Sequence, residues 1–209
     1  MGLNDICDKI YVISLPHRYD RREHAIQQAE KFRFEFEFFD AIDGDEILNF
    51  TNLRNGENGL LLTYDKLIQK IDKEGHGSVI ILEDDFEFVE DLRDRLEEID
   101  AVPDDWNLIY LGMNRDKLGA GFIKPQVVND KVIRVFSSFG AHAILLSKAA
   151  RKNIAEKIKM LDKPLDVMYC DVQQEMNAYG FVKNMCVQFD SHSDIIKFNP
   201  GYRAAGIFD

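Results

Sequence analysis

The stretch VIILEDDFEF at residues 79–88 limits what this chain can fold into more than any other segment. Val79 to Leu82 are all apolar and run directly into Glu83, Asp84 and Asp85. A short continuous apolar run with no polar face reads as a strand buried on both sides, as in mainly parallel sheets covered by helices. Open α/β sheets bind ligands beyond the carboxyl ends of their strands, which is where this strand delivers its acids. Three adjacent carboxylates repel one another unless a cation or a basic group joins them. A hard divalent cation, Mg²⁺ or Mn²⁺, holding a phosphate answers that need, because oxygen ligands suit it and it neutralises a leaving diphosphate.

The flanking pattern fits the same architecture. KIYVISL (9–15) reads as a first strand, Asp20 to Arg33 as a helix, and the alternating Phe34 to Phe38 as a half-buried strand ending at Asp40. The polar segment from Ala41 to Asn58 reads as a long loop with a short helical piece. Leu60 to Lys73 carries a helical apolar stripe that stops at Glu74-Gly75-His76-Gly77. Beyond the acids, Val89 to Ile99 reads as a charged surface helix and Asn107 to Gly112 as a strand. Residues 121–136 read as a hairpin around Asn129-Asp130, and Gly140 to Leu146 as a strand. Ser147 caps a helix reaching about Met160, Leu165 to Tyr179 is helical, and Phe181 to Phe189 is the last strand. The fold class expected is α/β in one domain, with a sheet that is parallel early and mixed late.

Composition excludes several functions. With 26 basic against 37 acidic residues among 209, the net charge of −11 gives no general attraction for nucleic acid or an anionic membrane. An anionic substrate must therefore be gripped locally. Cys7, Cys170 and Cys186 are widely spaced and form no CxxC pair, which signals neither a disulfide framework nor a zinc site and suits a reducing compartment. No apolar stretch approaches the roughly 18 residues of a membrane-spanning helix, and the opening MGLNDICDKIYVISL lacks the pattern of a signal peptide. The expectation is a cytoplasmic protein with no membrane span. Asn49-Phe50-Thr51 is a sequon to which no weight is given.

Several short patterns now line up in order. Ile13-Ser14-Leu15 is followed at the proper distance by Arg21-Arg22, then come Ala41-Ile42-Asp43-Gly44 and Glu57-Asn58-Gly59 with Leu62. Next are the LEDD run, Tyr110-Leu111-Gly112, Gly140-Ala141-His142-Ala143-Ile144-Leu145-Leu146-Ser147, and Pro164-Leu165-Asp166. This series resembles glycosyltransferase family 25, the lipooligosaccharide and procollagen galactosyltransferase group, over most of the chain. Departures are Thr63 and Tyr64 where the family has Ser and His, and Pro16 where it has Asp.

The resemblance implies a GT-A fold with a nucleotide-sugar-binding half at residues 1–112 and an acceptor-binding half with its tail at 113–209. It also implies a nucleotide-sugar donor, usually a uridine diphosphate sugar, a divalent metal (Mn²⁺ or Mg²⁺) and inverting transfer of a hexose to a hydroxyl of a glycan or glycoprotein. On that basis Glu83, Asp85 and His192 are candidate metal ligands, His192 because an imidazole from the C-terminal region commonly completes such sites and suits Mn²⁺. Glu83 and Asp84 are candidate donor contacts, together with Ser14, Leu15, Arg18, Arg21, Arg22 and Asp43; arginine grips phosphate in a bidentate manner. Asp166 is the candidate base, with Asp171 in reserve. Each has a structural alternative: a helix cap for Asp84, Asp85 or Asp166, surface salt bridges for one of Arg21 and Arg22, an Asp-Gly turn for Asp43. His142, inside a strand, is expected to be packed or acceptor-side, and His17, His24 and His76 to lie on the surface.

Two other functions compete. A noncatalytic sugar- or nucleotide-binding subunit with a degenerate transferase fold is favoured by the altered Thr63-Tyr64 and opposed by the retained acids. Phosphoryl transfer of the receiver type needs an acid after the first strand, and Ser14-Leu15-Pro16 offers none.

Overall fold

The structure is a computed structural model that describes residues 1–49, 51–114, 123–189 and 195. Its centre is an eight-stranded sheet in the order β2-β1-β3-β8-β5-β9-β7-β6, accompanied by a two-stranded sheet of β4 and β10. In chain order the elements are β1 (Lys9–Ser14), α1 (Tyr19–Phe32), β2 (Glu37–Asp40), α2 (Asn55–Glu74), β3 (Ser78–Glu83), β4 (Phe86–Phe88) and α3 (Leu92–Arg95). They continue as β5 (Leu108–Asn114), β6 (Gln126–Val127), β7 (Val132–Arg134), β8 (Phe139–Ser147), α4 (Lys148–Ile158), α5 (Leu165–Glu175), β9 (Ala178–Phe181) and β10 (Cys186–Gln188). Pairings β1/β2, β1/β3 and β5/β9 are parallel, and β7 and β8 run against the rest. The α/β class with a parallel early half and a mixed later half is therefore as expected.

The strands read as unbroken apolar runs because both faces are covered. On one face Tyr11, Val79, Ile81 and Ile144 pack with Leu61, Leu67, Ile68 and Ile71 of α2 and with Ile154 and Val172 of α4 and α5. On the other, Ile10, Val12, Ile80 and Leu82 pack with Ala25 and Phe32 of α1 and with Phe86, Phe88 and Cys186 of the small sheet. Alternation along β3 thus divides its apolar residues between two cores and leaves Glu83 at the rim.

Several boundaries differ from the sequence reading. The Phe34–Phe38 alternation yields a strand only from Glu37, and the segment after the acids is not one surface helix. It forms β4, the four-residue α3 and a 3₁₀ turn at Leu96–Ala101. The helix read over Leu165–Tyr179 stops at Glu175, and its last residues join β9, Ala178–Phe181, a strand of the large sheet; of the strand read over Phe181–Phe189 only Cys186–Gln188 is a separate strand, β10, which pairs antiparallel with β4, Gln188 opposite Phe86. The physical reason is tertiary. Phe86 and Phe88 are fully buried against α1, so the alternation after the acids packs as a strand and the helix shrinks.

Candidate functional site

Parallel pairing brings three strand ends to one edge. Ile13 lies opposite Glu83, and Ser14 opposite Asp40, so the ends of β1, β2 and β3 meet at the carboxyl rim. An open cleft lies there. Its walls are Ser14 at the end of β1 and Leu15 after it, Arg21 of α1, the Ala41–Asp45 turn, the start of α2, and Glu83, Asp84 and Asp85. A second groove shares Ala41, Ile42 and Asp43 with it and reaches Pro16, His17 and Ile47.

The turn is held by close backbone approach. A Cβ on Gly59 would lie 2.6 Å from the Ile42 carbonyl oxygen, and one on Gly44 would lie 1.8 Å from that of Asn55. The two glycines of the Ala41–Gly44 and Glu57–Gly59 patterns are thus the two sides of one contact. Thr63 completes it, its Oγ1 accepting from the Ile42 amide at 2.9 Å and donating to the Gly59 carbonyl at 2.7 Å. Glu57 caps α2 by accepting from the Arg54 amide at 2.9 Å. Asp43 faces the cleft and also caps the following 3₁₀ turn, accepting from the Asp45 amide at 3.0 Å.

The three acids have separate partners. Asp84 is buried and its Oδ1 accepts from the Arg21 guanidinium at 2.5 Å, while Asp85 Oδ2 stands 3.8 Å from the same guanidinium. Gln188 Nε2 donates to Asp85 Oδ2 at 3.3 Å, and Asp85 Oδ1 is buried with no hydrogen-bond partner among the described residues. Burial displaces all three carboxyls upward; in Glu83 the negative charges of Asp85, Asp166 and Asp84 add to it, placing it well above the usual carboxylate range. Arg21 opposes the rise in every case. The rim therefore carries more negative charge than one arginine offsets.

Among the described residues no group of three or more His, Cys, Asp or Glu side chains closes into a metal cage. A Mg²⁺- or Mn²⁺-type site takes one or two carboxylates and draws its other ligands from water and substrate phosphates. The orphaned Oδ1 of Asp85, with Glu83 beside it, suits such a cation. His192 lies outside the described residues.

The remaining candidates divide. Asp166, in the first turn of α5, accepts from the Gly140 amide at 3.2 Å and is near enough to Glu83 to raise its pKa. Tyr64 and Tyr169, both buried, feel both acids. Asp171 is not brought to this group: Lys163 engages it at 2.6 Å. Arg18 binds Asp20 through two contacts, at 2.9 and 2.8 Å, and contributes positive potential at Asp85. Arg22 is a structural clamp. Its guanidinium donates to the Ser14 and Leu15 carbonyls at 3.1 and 3.3 Å, binds Asp40 and covers the Phe38 ring at 4.7 Å. It fixes the β1 end to the β2 end and does not line the cleft.

His142 is packed, as expected: it is fully buried, and burial lowers its pKa to about 4, leaving it neutral. A Cβ on Gly112 would stand 2.3 Å from its Nε2, so the Tyr110–Gly112 pattern makes room for this ring. His24 departs from its surface expectation, its Nε2 meeting the Phe86 carbonyl at 2.9 Å and its ring lying 4.3 Å from that of Phe189. The sequence reading overlooked Gln188 and Asn114. Both lie at strand ends without any local motif, and only the β4/β10 pairing brings Gln188 to Asp85.

Comparisons with known proteins were made against this geometry. Residues 7–168 match the family model described as glycosyltransferase family 25 (LPS biosynthesis protein). Procollagen galactosyltransferase 1-B of Xenopus laevis is 28% identical over 190 residues, covering 78% of this chain and 31% of that protein. A Haemophilus influenzae protein, assigned by inference as a glycosyltransferase, is 33% identical over 175 residues, 75% of this chain and 59% of its own. The human protein named inactive glycosyltransferase 25 family member 3 is 30% identical over 129 residues, 50% of this chain and 22% of its own. The chain thus spans about a third of the length of the procollagen galactosyltransferase it matches.

Proposed function

Because the chain belongs to glycosyltransferase family 25, we propose that it transfers a hexose from a nucleoside diphosphate sugar, a uridine diphosphate sugar first of all, to a hydroxyl of a glycan or glycoprotein. The observation that carries this reading is the convergence of Ser14, Leu15, Arg21, Asp43, Glu83, Asp84 and Asp85 on one cleft at the carboxyl edge of the sheet. These residues come from separate segments, and a solvated turn does not require them to meet.

Asp85 and Glu83 hold a divalent cation, and His192 is the candidate third ligand. When bound, the cation neutralises the diphosphate that departs. The chain's own residues do the rest. Arg21 offsets Asp84, so the rim accepts a cation without three mutually repelling charges. Asp43 and the groove toward Pro16 and Ile47 receive the nucleoside end. Asp166 is the base: an inverting displacement needs a carboxylate to take the acceptor's proton as its oxygen attacks the anomeric carbon from the side opposite the diphosphate. Asp166 is near enough to Glu83 to raise that acid's pKa, which supports a place beside the proposed cation.

The similarity to a relative named inactive, together with Thr63 and Tyr64 in place of Ser and His, favours a second reading, a sugar- or nucleotide-binding subunit without turnover. Donor hydrolysis separates the two. Incubated with a uridine diphosphate sugar and Mn²⁺ but no acceptor, a transferase releases uridine diphosphate slowly, and chelation or Asp85→Asn abolishes the release. A binding subunit leaves the donor intact under all three conditions.

A further inference from the structure

Asp85 is held from a direction that its own strand does not supply. Its backbone carbonyl accepts from the Phe189 amide at 2.9 Å, and its Oδ2 accepts from Gln188 Nε2 at 3.3 Å. Both partners stand at the end of β10, which reaches the acids only because Gln188 pairs with Phe86 across the small sheet. Gln188 is itself buried, 7% exposed, and Asn114 at the end of β5 donates from Nδ2 to its Oε1 at 3.4 Å. A side-chain amide has one donor end and one acceptor end, so a donor at its oxygen turns its NH₂ toward the carboxylate. Asn114 thereby sets the direction in which Gln188 donates. The result is a carboxylate secured at Oδ2 whose other oxygen, Oδ1, is buried without a partner among the described residues. A buried carboxylate oxygen left unpaired costs free energy, and that cost is recovered when something positive binds it.

We propose that Gln188, oriented by Asn114, is a positioning residue that ties down one oxygen of Asp85 so that the other faces a divalent cation. This rests on the cation-binding reading of Glu83 and Asp85 given above. It adds a residue that touches neither cation nor donor but fixes the ligand's rotamer, the arrangement by which hydrogen-bonded outer partners tune metal ligands.

The test measures Mn²⁺ binding to the full chain without donor, by the loss of the free-ion paramagnetic resonance signal, beside the melting temperature in chelator. Gln188→Leu keeps the side-chain volume close and removes the donor; it is expected to weaken Mn²⁺ binding by about 10-fold or more and to lower the metal-free melting temperature by a few degrees, because Asp85 Oδ2 and Asn114 lose a buried partner. Asn114→Ser acts on the amide from the far side and is expected to weaken binding by a smaller factor. In the double variant the losses should not multiply, because both changes act through one contact. Wild-type Mn²⁺ affinity in folded Gln188→Leu, or in Asn114→Ser should Gln188→Leu fail to fold, overturns the proposal while leaving the cation site intact. Wild-type affinity in Asp85→Asn overturns the cation reading itself, and the positioning role with it.

Discussion

Arg21 is the residue on which the acid cluster depends when no cation is present. It is 7% exposed and touches both Asp84 and Asp85. Removing one partner of a buried pair leaves an uncompensated charge, which typically costs about 3–5 kcal/mol. Arg21→Met should therefore destabilise the chain by that order in urea, and Asp84→Asn in the same chain should restore much of the loss. Full additivity of the two substitutions would contradict the pairing. Glu83 makes the opposite prediction. Its folded pKa is raised above its unfolded value, chiefly by burial and then by Asp85, Asp166 and Asp84. A group raised in this way favours the fold below its unfolded pKa and loses that contribution as pH rises toward the folded value. Glu83→Gln should thus stabilise the metal-free chain at pH 8 by about 1 kcal/mol, about 3 °C in a chain of this size, and by less at pH 5. An equal effect at both pH values would contradict the assigned cause. The same substitution should weaken Mn²⁺ binding, so stability and function trade against each other at this position.

At the scale of elements, the contact between the Ala41–Asp45 turn and α2 decides where Asp43 sits. A Cβ on Gly59 meets backbone atoms of Ile42 and Gly44 at 2.6 and 2.8 Å, and backbone cannot rotate aside as a side chain can. Gly59→Ala should cost about 1–3 kcal/mol through forced displacement and should weaken donor binding by moving the turn. Unchanged stability and donor affinity would show that the turn is free of α2. The glycine patterns were visible in the sequence, but their meeting was not, because nothing local says that Gly44 packs on Asn55. The same limit explains β4 and β10. Alternation at Phe86-Glu87-Phe88 was legible, whereas its partner lies about a hundred residues away and the composition after it is helical. Strong periodic segments such as β8 and α4 were read nearly to their ends, since their apolar patterns and caps are local, and Ser147 does accept from the Ala150 amide at 3.2 Å; α2 begins at Asn55, earlier than the Leu60 at which its apolar stripe starts.

For the whole molecule, the sheet order matters more than any motif. With β1, β2 and β3 parallel and adjacent, every residue at their carboxyl ends is delivered to one rim, and α1 and α2 bring Arg21 and Thr63 to the same place. That is why most of the residues that line the cleft were legible in the sequence: an apolar run ending in acids states both the strand and its edge. Which of Arg21 and Arg22 is the structural one was left open, because the sequence cannot tell an arginine that faces the cleft from its neighbour that clamps strand ends. No helix among the described residues is long and apolar enough to cross a membrane. The net charge of −11 means that an anionic donor of the kind proposed would be captured against the overall field, which makes the proposed cation at the rim the centre of the account. The most direct measurement is the thermal shift of the full chain with a uridine diphosphate sugar, with and without Mn²⁺, in wild type and Asp85→Asn. At about 100 times its dissociation constant the donor should add about 2.7 kcal/mol of stability in wild type with Mn²⁺, and little without metal or in Asp85→Asn. A full metal-dependent shift in Asp85→Asn would contradict the account.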